Sequence, residues 1–156
     1  MGNFMNINNI INRIKSINSN IKFVGQFDEN NLKTGYWEVY WRNGKLWYKG
    51  NYVNCIQEGY WEYYWDNGIL RLKGKFENNL REGIWERYWD NGNPDWKGNY
   101  VNGLRDGYWE EYDFNGKIDR KGNYVNGLKD GYWEYWDNGN IRSKGNYVNG
   151  RYYGIK

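Results

Sequence analysis

The chain has no histidine, one cysteine and one proline in 156 residues. Without histidine it lacks the commonest metal ligand and the side chain whose ordinary pKa suits acid–base work near neutrality. The lone Cys55 cannot close an internal disulfide, which excludes a small fold stapled by such bonds. No apolar run approaches the roughly 20 residues of a membrane-spanning helix. Charge of one sign is scarce as well: the formal net charge is +3, and Lys and Arg alternate with Asp and Glu, so no basic stripe for nucleic acid exists. Mean hydropathy is -1.12, a value more usual in disordered chains, which bury too little apolar surface to offset chain entropy.

Aromatic residues fill that gap. They make up 21% of the chain, with 11 Trp and 17 Tyr. Each such ring can take about 150–250 Å² out of water, enough for rings to replace an aliphatic core. Their placement is periodic. A Gly-x-Trp-Glu signature begins at Gly35, Gly59, Gly83, Gly107 and Gly131, 24 residues apart each time. A fixed period of this length marks a repeat architecture in which each unit buries its apolar side against its neighbours.

Within a unit, runs rich in strand-forming residues alternate with turn residues. Tyr60–Trp65 leads into Asp66-Asn67-Gly68, and Leu70 to Phe76 forms the return run. Asn-Gly between such runs predicts a two-residue type I′ hairpin, and the pair returns at Asn43-Gly44, Asn91-Gly92, Asn115-Gly116 and Asn138-Gly139. A second turn follows, fullest at Asn102-Gly103-Leu104-Arg105-Asp106-Gly107. In that register Trp61 faces Gly74, Tyr63 faces Leu72 and Trp65 faces Leu70 on one side of the sheet. The other side pairs Glu62 with Lys73 and Tyr64 with Arg71, and the Glu–Lys pairing recurs as Glu38–Lys49, Glu86–Lys97 and Glu110–Lys121. Stacked units align Trp37, Trp61, Trp85, Trp109 and Trp133 in a structural column, and Phe27, Tyr52, Phe76, Tyr100, Tyr124 and Tyr147 in another. The fifth unit is one residue shorter before its turn, which requires a bulge in the longer units or a register shift in the fifth. Pro94, in the return run of the third unit, requires an edge or a local irregularity.

Residues 1–23 stand outside the repeat. Phe4, Ile7, Ile10, Ile11, Ile14, Ile17 and Ile21 recur at spacings of three and four, predicting a short amphipathic helix that caps the sheet or rests on a membrane surface. The fold class expected is therefore all-β: an elongated single-layer antiparallel meander of hairpin repeats over 24–156, preceded by an N-terminal helix.

The Gly-x-Trp-x-x-Tyr-x-x-(Asp/Asn)-Gly-x-Leu spacing, followed by a Tyr-x-Asn-Gly turn, resembles the MORN (membrane occupation and recognition nexus) repeat in its variant form, over about residues 24–156. The resemblance implies an elongated single-layer array of β-hairpins that serves as a scaffold or dimerisation module and in some members contacts phospholipid.

Chemistry-bearing motifs are absent from this reading. The same Glu in five equivalent settings (Glu38, Glu62, Glu86, Glu110, Glu134) is an ion partner of Lys rather than one specially tuned acid. Asp-Asn-Gly has no EF-hand spacing, and no phosphate-cradling glycine loop precedes a helix. No catalytic, cofactor or metal residue is assigned. Cys55, standing where other units carry a turn glycine, is read as drift. The expected function is a non-catalytic scaffold that binds a protein partner or a second copy, with Tyr40, Trp47, Tyr64, Tyr88 and Tyr112 as the candidate interaction surface on the face away from the Trp column. The alternatives are peripheral binding to anionic phospholipid through Lys22, Lys33, Lys45, Lys49 and the helix, or carbohydrate stacking on the aromatic ladder. An intracellular, cytoplasmic location, at most membrane-peripheral, is expected.

Overall fold

The computed structural model describes residues 22–154. They form one twelve-stranded antiparallel sheet in which every strand pairs with its neighbour in sequence. The strands are β1 (Lys22–Phe27), β2 (Lys33–Tyr40), β3 (Leu46–Val53), β4 (Ile56–Tyr64), β5 (Leu70–Glu77) and β6 (Leu80–Tyr88). They continue as β7 (Pro94–Val101), β8 (Leu104–Tyr112), β9 (Ile118–Val125), β10 (Leu128–Asp137), β11 (Asn140–Val148) and β12 (Arg151–Tyr152). Of the N-terminal helix expected over residues 1–23, residues 1–21 lie outside the described span, and Lys22 and Phe23 belong to strand β1 instead.

The two turns of a unit differ in type, and the type I′ expected at Asp-Asn-Gly is found only in the fifth unit. The type I′ geometry belongs to the second turn: Asn102 and Gly103 have φ of 49° and 79° between the paired Val101 and Leu104. The Asp-Asn-Gly turn is instead a three-residue loop. Gly68 N–H donates to Trp65 C=O at 2.9 Å, Trp65 N–H donates to Ile69 C=O at 2.8 Å, and only Gly68 takes positive φ, at 90°. This is the type I turn with a glycine bulge. Asn67 stays out of the left-handed region while its Oδ1 accepts Ile69 N–H at 2.9 Å. The shortened fifth unit loses one loop residue and reverts to type I′, with Asn138 and Gly139 at φ of 49° and 84°.

Register follows expectation up to a bulge. Trp61 pairs with Gly74, Glu62 with Lys73 and Tyr63 with Leu72. Beyond Tyr63 the register shifts and Tyr64 pairs with Leu70, not Arg71, so Leu70 joins the Glu/Lys face and Trp65 turns into the loop. Pro94 opens β7 at the equivalent irregular position, where a missing N–H is tolerated.

A single sheet has no second layer, yet Trp61, Trp85, Trp109 and Trp133 are 0% exposed. Two contacts achieve this in every unit, and a third adds to them in four. Each indole lies flat over a glycine of the preceding strand, and a Cβ on Gly74 would stand 2.2 Å from Trp85. The expected pairing of Trp with an opposing glycine holds for the backbone, but the ring itself covers the glycine on the other side. A second aromatic meets each ring edge-on, as Phe76 does Trp85 at 4.8 Å and Tyr100 does Trp109 at 5.1 Å. A cation closes the top in four units: Lys33 over Trp37, Arg81 over Trp85, Arg105 over Trp109 and Lys129 over Trp133, at 4.3–4.8 Å.

Candidate interaction surface

On the face opposite the indoles, strand alternation brings up the Glu residues that follow each Trp. The Cα pairs Glu38–Lys49, Glu62–Lys73, Glu86–Lys97 and Glu110–Lys121 form as expected. The ion pairs mostly run onward to the next unit: Lys49 to Glu62 at 2.6 Å, Lys73 to Glu86 at 2.8 Å and Lys121 to Glu134 at 3.2 Å. Glu86 also holds Lys97 at 3.0 Å. The ladder thus stitches units together rather than bracing single hairpins.

Tyr40, Tyr64, Tyr88 and Tyr112 stand in one column beside it. Tyr64, Tyr88 and Tyr112 donate their hydroxyls at 2.6 Å to Glu62, Glu86 and Glu110, and Tyr40 donates to Glu38. The bond to Glu38 pushes the Tyr40 hydroxyl up to about 12, with burial adding to it. Burial would raise the Glu86 carboxyl, but donation from Lys73, Tyr88 and Lys97 outweighs it and brings the group down to about 2. These tyrosines are half-buried, engaged groups.

Trp47 does not join them. It occupies the bulge position of β3 and packs with Tyr48 against Phe23, Trp37 and Val39 on the indole face, its ring 4.7 Å from Trp41. The bulge, invisible in a regular two-residue alternation, sends it across the sheet.

The accessible large side chains of the Glu/Lys face form a different column, four tyrosines and one isoleucine: Tyr36, Tyr60, Ile84, Tyr108 and Tyr132, 44–55% exposed. Each precedes a buried Trp, so the signal lay in the second position of the Gly-x-Trp-Glu repeat and in simple alternation. Toward the type I′ turns an aliphatic row continues the surface, with Val101 and Leu104, Val125 and Leu128, and Val53 and Ile56 exposed as pairs across their turns.

The indole face carries charge in the third and fourth units, where Arg87 and Glu111 stand in the column of Tyr63. Glu111 receives Arg105 at 3.0 Å and Arg120 at 2.7 Å, and Arg87 lies 2.9 Å from the buried Asp95. Burial raises the Asp95 carboxyl, while the Arg87 charge opposes it. These groups neutralise one another in the third and fourth units. Among the described residues no group of three or more His, Cys, Asp or Glu is placed to hold a metal ion. No described helix is long and apolar enough to cross a membrane.

With 24-residue hairpins, the Trp column and the two turns in place, the family comparison is decisive. The MORN repeat variant model matches residues 33–54, 57–78, 81–102, 105–126 and 129–149. The chain belongs to the MORN repeat variant family. Four of the matched segments of this MORN array begin at the cation that covers an indole, the second begins at Gln57, and each ends at the next type I′ turn. A comparison with curated proteins gives no match. Among solved structures, the crystal structure of accessory secretory protein 1,2 and 3 in Streptococcus pneumoniae is similar at 16% identity over 85% of this chain. This chain spans 22% of that structure's length, and the TM-score is 0.27.

Proposed function

We propose that the MORN array is a non-catalytic scaffold that binds a protein partner through its Glu/Lys face. The observation that carries this reading is the Tyr36, Tyr60, Ile84, Tyr108 and Tyr132 column, exposed in five successive units beside an aliphatic row. Contiguous accessible apolar surface marks interaction sites, and tyrosine is enriched at the centre of protein interfaces. The half-buried Tyr40, Tyr64, Tyr88 and Tyr112 then form the rim of that surface, held rigid by their glutamates. Trp47 belongs to the array's own packing. A ladder in which each Glu already has a Lys or Tyr partner has no free acid–base pair to offer a substrate.

Attachment to anionic lipid is the weaker reading, because the cations invoked for it do not share a surface. Lys49 is paired with Glu62, Lys45 donates to Asn67 C=O at 2.6 Å, and Lys33 lies over Trp37 on the other face. The test compares wild type with Tyr60→Ser/Tyr108→Ser in pull-down at low and high salt, beside flotation with phosphatidylserine vesicles and sedimentation equilibrium. A partner, or a second copy, held at high salt and lost in the double variant is the expected result. Salt-sensitive flotation with no protein captured, or capture indifferent to the two tyrosines, overturns the assignment.

A further inference from the structure

The indole face is filled unevenly, and the gap has a definite cause. Between β3 and β6 lies a hollow of about 480 Å³, within the range of small-molecule sites. It is lined by the rings of Trp47, Tyr48, Tyr52, Tyr63 and Phe76, and by the side chains of Arg71 and Arg81. The hollow exists because Gln57 and Leu72 occupy columns that the following unit fills with Arg81 and Trp96. There Trp96 is buried against Trp109 at 5.2 Å, and Arg81 covers Trp85 at 4.6 Å. In the second unit no cation among the described residues covers Trp61. Gln57 instead turns its amide to donate to the Tyr63 hydroxyl at 2.7 Å.

Charge is uneven in the same place. Among the described residues no carboxylate lines the hollow. Arg87, Arg105 and Arg120 each have an acidic partner on this face, whereas Arg71 and Arg81 have none among the described residues. Arg81 is fixed by donation to the Tyr100 hydroxyl at 2.8 Å, and Arg71 rests 4.6 Å above the Trp65 ring. Two guanidiniums held by aromatic rings keep donors for an incoming anion, and a guanidinium matches a carboxylate in two parallel hydrogen bonds.

We propose that this hollow binds an aromatic carboxylate, its ring among Tyr48, Tyr52, Tyr63 and Phe76 and its carboxylate against Arg71 and Arg81. The ring recovers the contacts that Trp96 makes one unit later, and the anion supplies the charge that Glu111 and Asp95 supply there. The site lies on the opposite face from the surface proposed for the protein partner, so each can fail without the other. A free acid and a peptide ending in Trp present the same chemistry.

The test is a nuclear magnetic resonance titration of the whole chain with 2-naphthoate, with neutral 2-naphthamide, and with an acetylated tripeptide ending in Trp. The Gln57 side-chain amide and the Leu72 methyl signals are expected to move with saturable 1:1 binding of naphthoate or of the peptide; the tighter of the two identifies the source. The amide should bind about tenfold more weakly or worse, since a charge-assisted bond is lost. Arg71→Gln should weaken naphthoate by a similar factor. Gln57→Arg/Leu72→Trp, which installs the neighbouring unit's own residues, should abolish binding with the melting temperature held or raised. Equal binding of acid and amide, an unchanged affinity in Arg71→Gln, or no shift at Gln57 and Leu72 overturns the proposal; Arg71→Gln decides the matter should the filled variant fold poorly.

Discussion

Replacing Gly74 by alanine probes the packing on which the whole array depends. Gly74 lies in β5 with ordinary extended backbone, so alanine meets no conformational penalty there. The new Cβ would stand 2.2, 2.4 and 2.5 Å from Cδ2, Cε2 and Cγ of Trp85. Carbon atoms settle at about 3.5–4.0 Å, so the indole must lift off the strand by more than an ångström. Lifting it breaks the Nε1–H bond to Lys75 C=O at 3.0 Å and displaces Arg81 from above the ring. Overpacking costs about 1–3 kcal/mol and the hydrogen bond about 1 kcal/mol, so Gly74→Ala should destabilise by about 2–4 kcal/mol. Trp85→Ala alone should cost about 3–5 kcal/mol, the range for emptying a buried aromatic site. Once the indole is gone, the alanine at position 74 has nothing to strike. In the Trp85→Ala background Gly74→Ala should therefore be neutral, or gain about 0.5–1 kcal/mol from a less flexible unfolded chain. The assay is urea denaturation of the four proteins by far-ultraviolet circular dichroism, comparing midpoints at unchanged m-value. Additive costs would refute the argument, as would a loss below about 1 kcal/mol in Trp85→Ala, which belongs to exposed positions.

Three further outcomes follow from the same structure. The Glu86 carboxyl is lowered from 4.5 to about 2 in the folded chain, so its stabilising effect is complete above about pH 5 and is lost as pH falls through 4.5 toward 2; Glu86→Gln should flatten that part of an acid-unfolding curve, and an unaltered curve contradicts the ladder's contribution. Cys55 sits at φ 66°, where the fourth and fifth units have glycine, and its N–H bond to Lys33 C=O is matched by Gly103 to Arg81. Cys55→Gly should thus stabilise by about 1 kcal/mol and raise the melting temperature by a few degrees; a lower one would mean that acceptance of Lys33 N–H by its Sγ matters more. Small-angle scattering should show a particle with one dimension of at least about 50 Å, from strands about 4.8 Å apart, and a profile of a compact sphere excludes the extended sheet.

The repeat, the meander and the Trp column were legible in the order of residues alone, because each depends on a short-range rule repeated five times. A 24-residue period, alternation along strands and Asn-Gly turns are local, and stacking identical units multiplies each local preference. The Glu–Lys register was legible for the same reason. What tertiary structure decided is where that regularity is broken. The Asp-Asn-Gly loop takes three residues rather than two, and the bulge opposite Tyr63 and Tyr64 shifts the register by one. Since side chains alternate with a period of two, one residue is enough to send Trp47 to the indole face and Leu70 away from it. The partners of charges were likewise settled in three dimensions. Whether Lys49 reaches Glu38 or Glu62, and whether Arg71 meets an acid, depends on which of two equidistant neighbouring strands offers the better-placed group, and alternation within one strand carries no information about that choice.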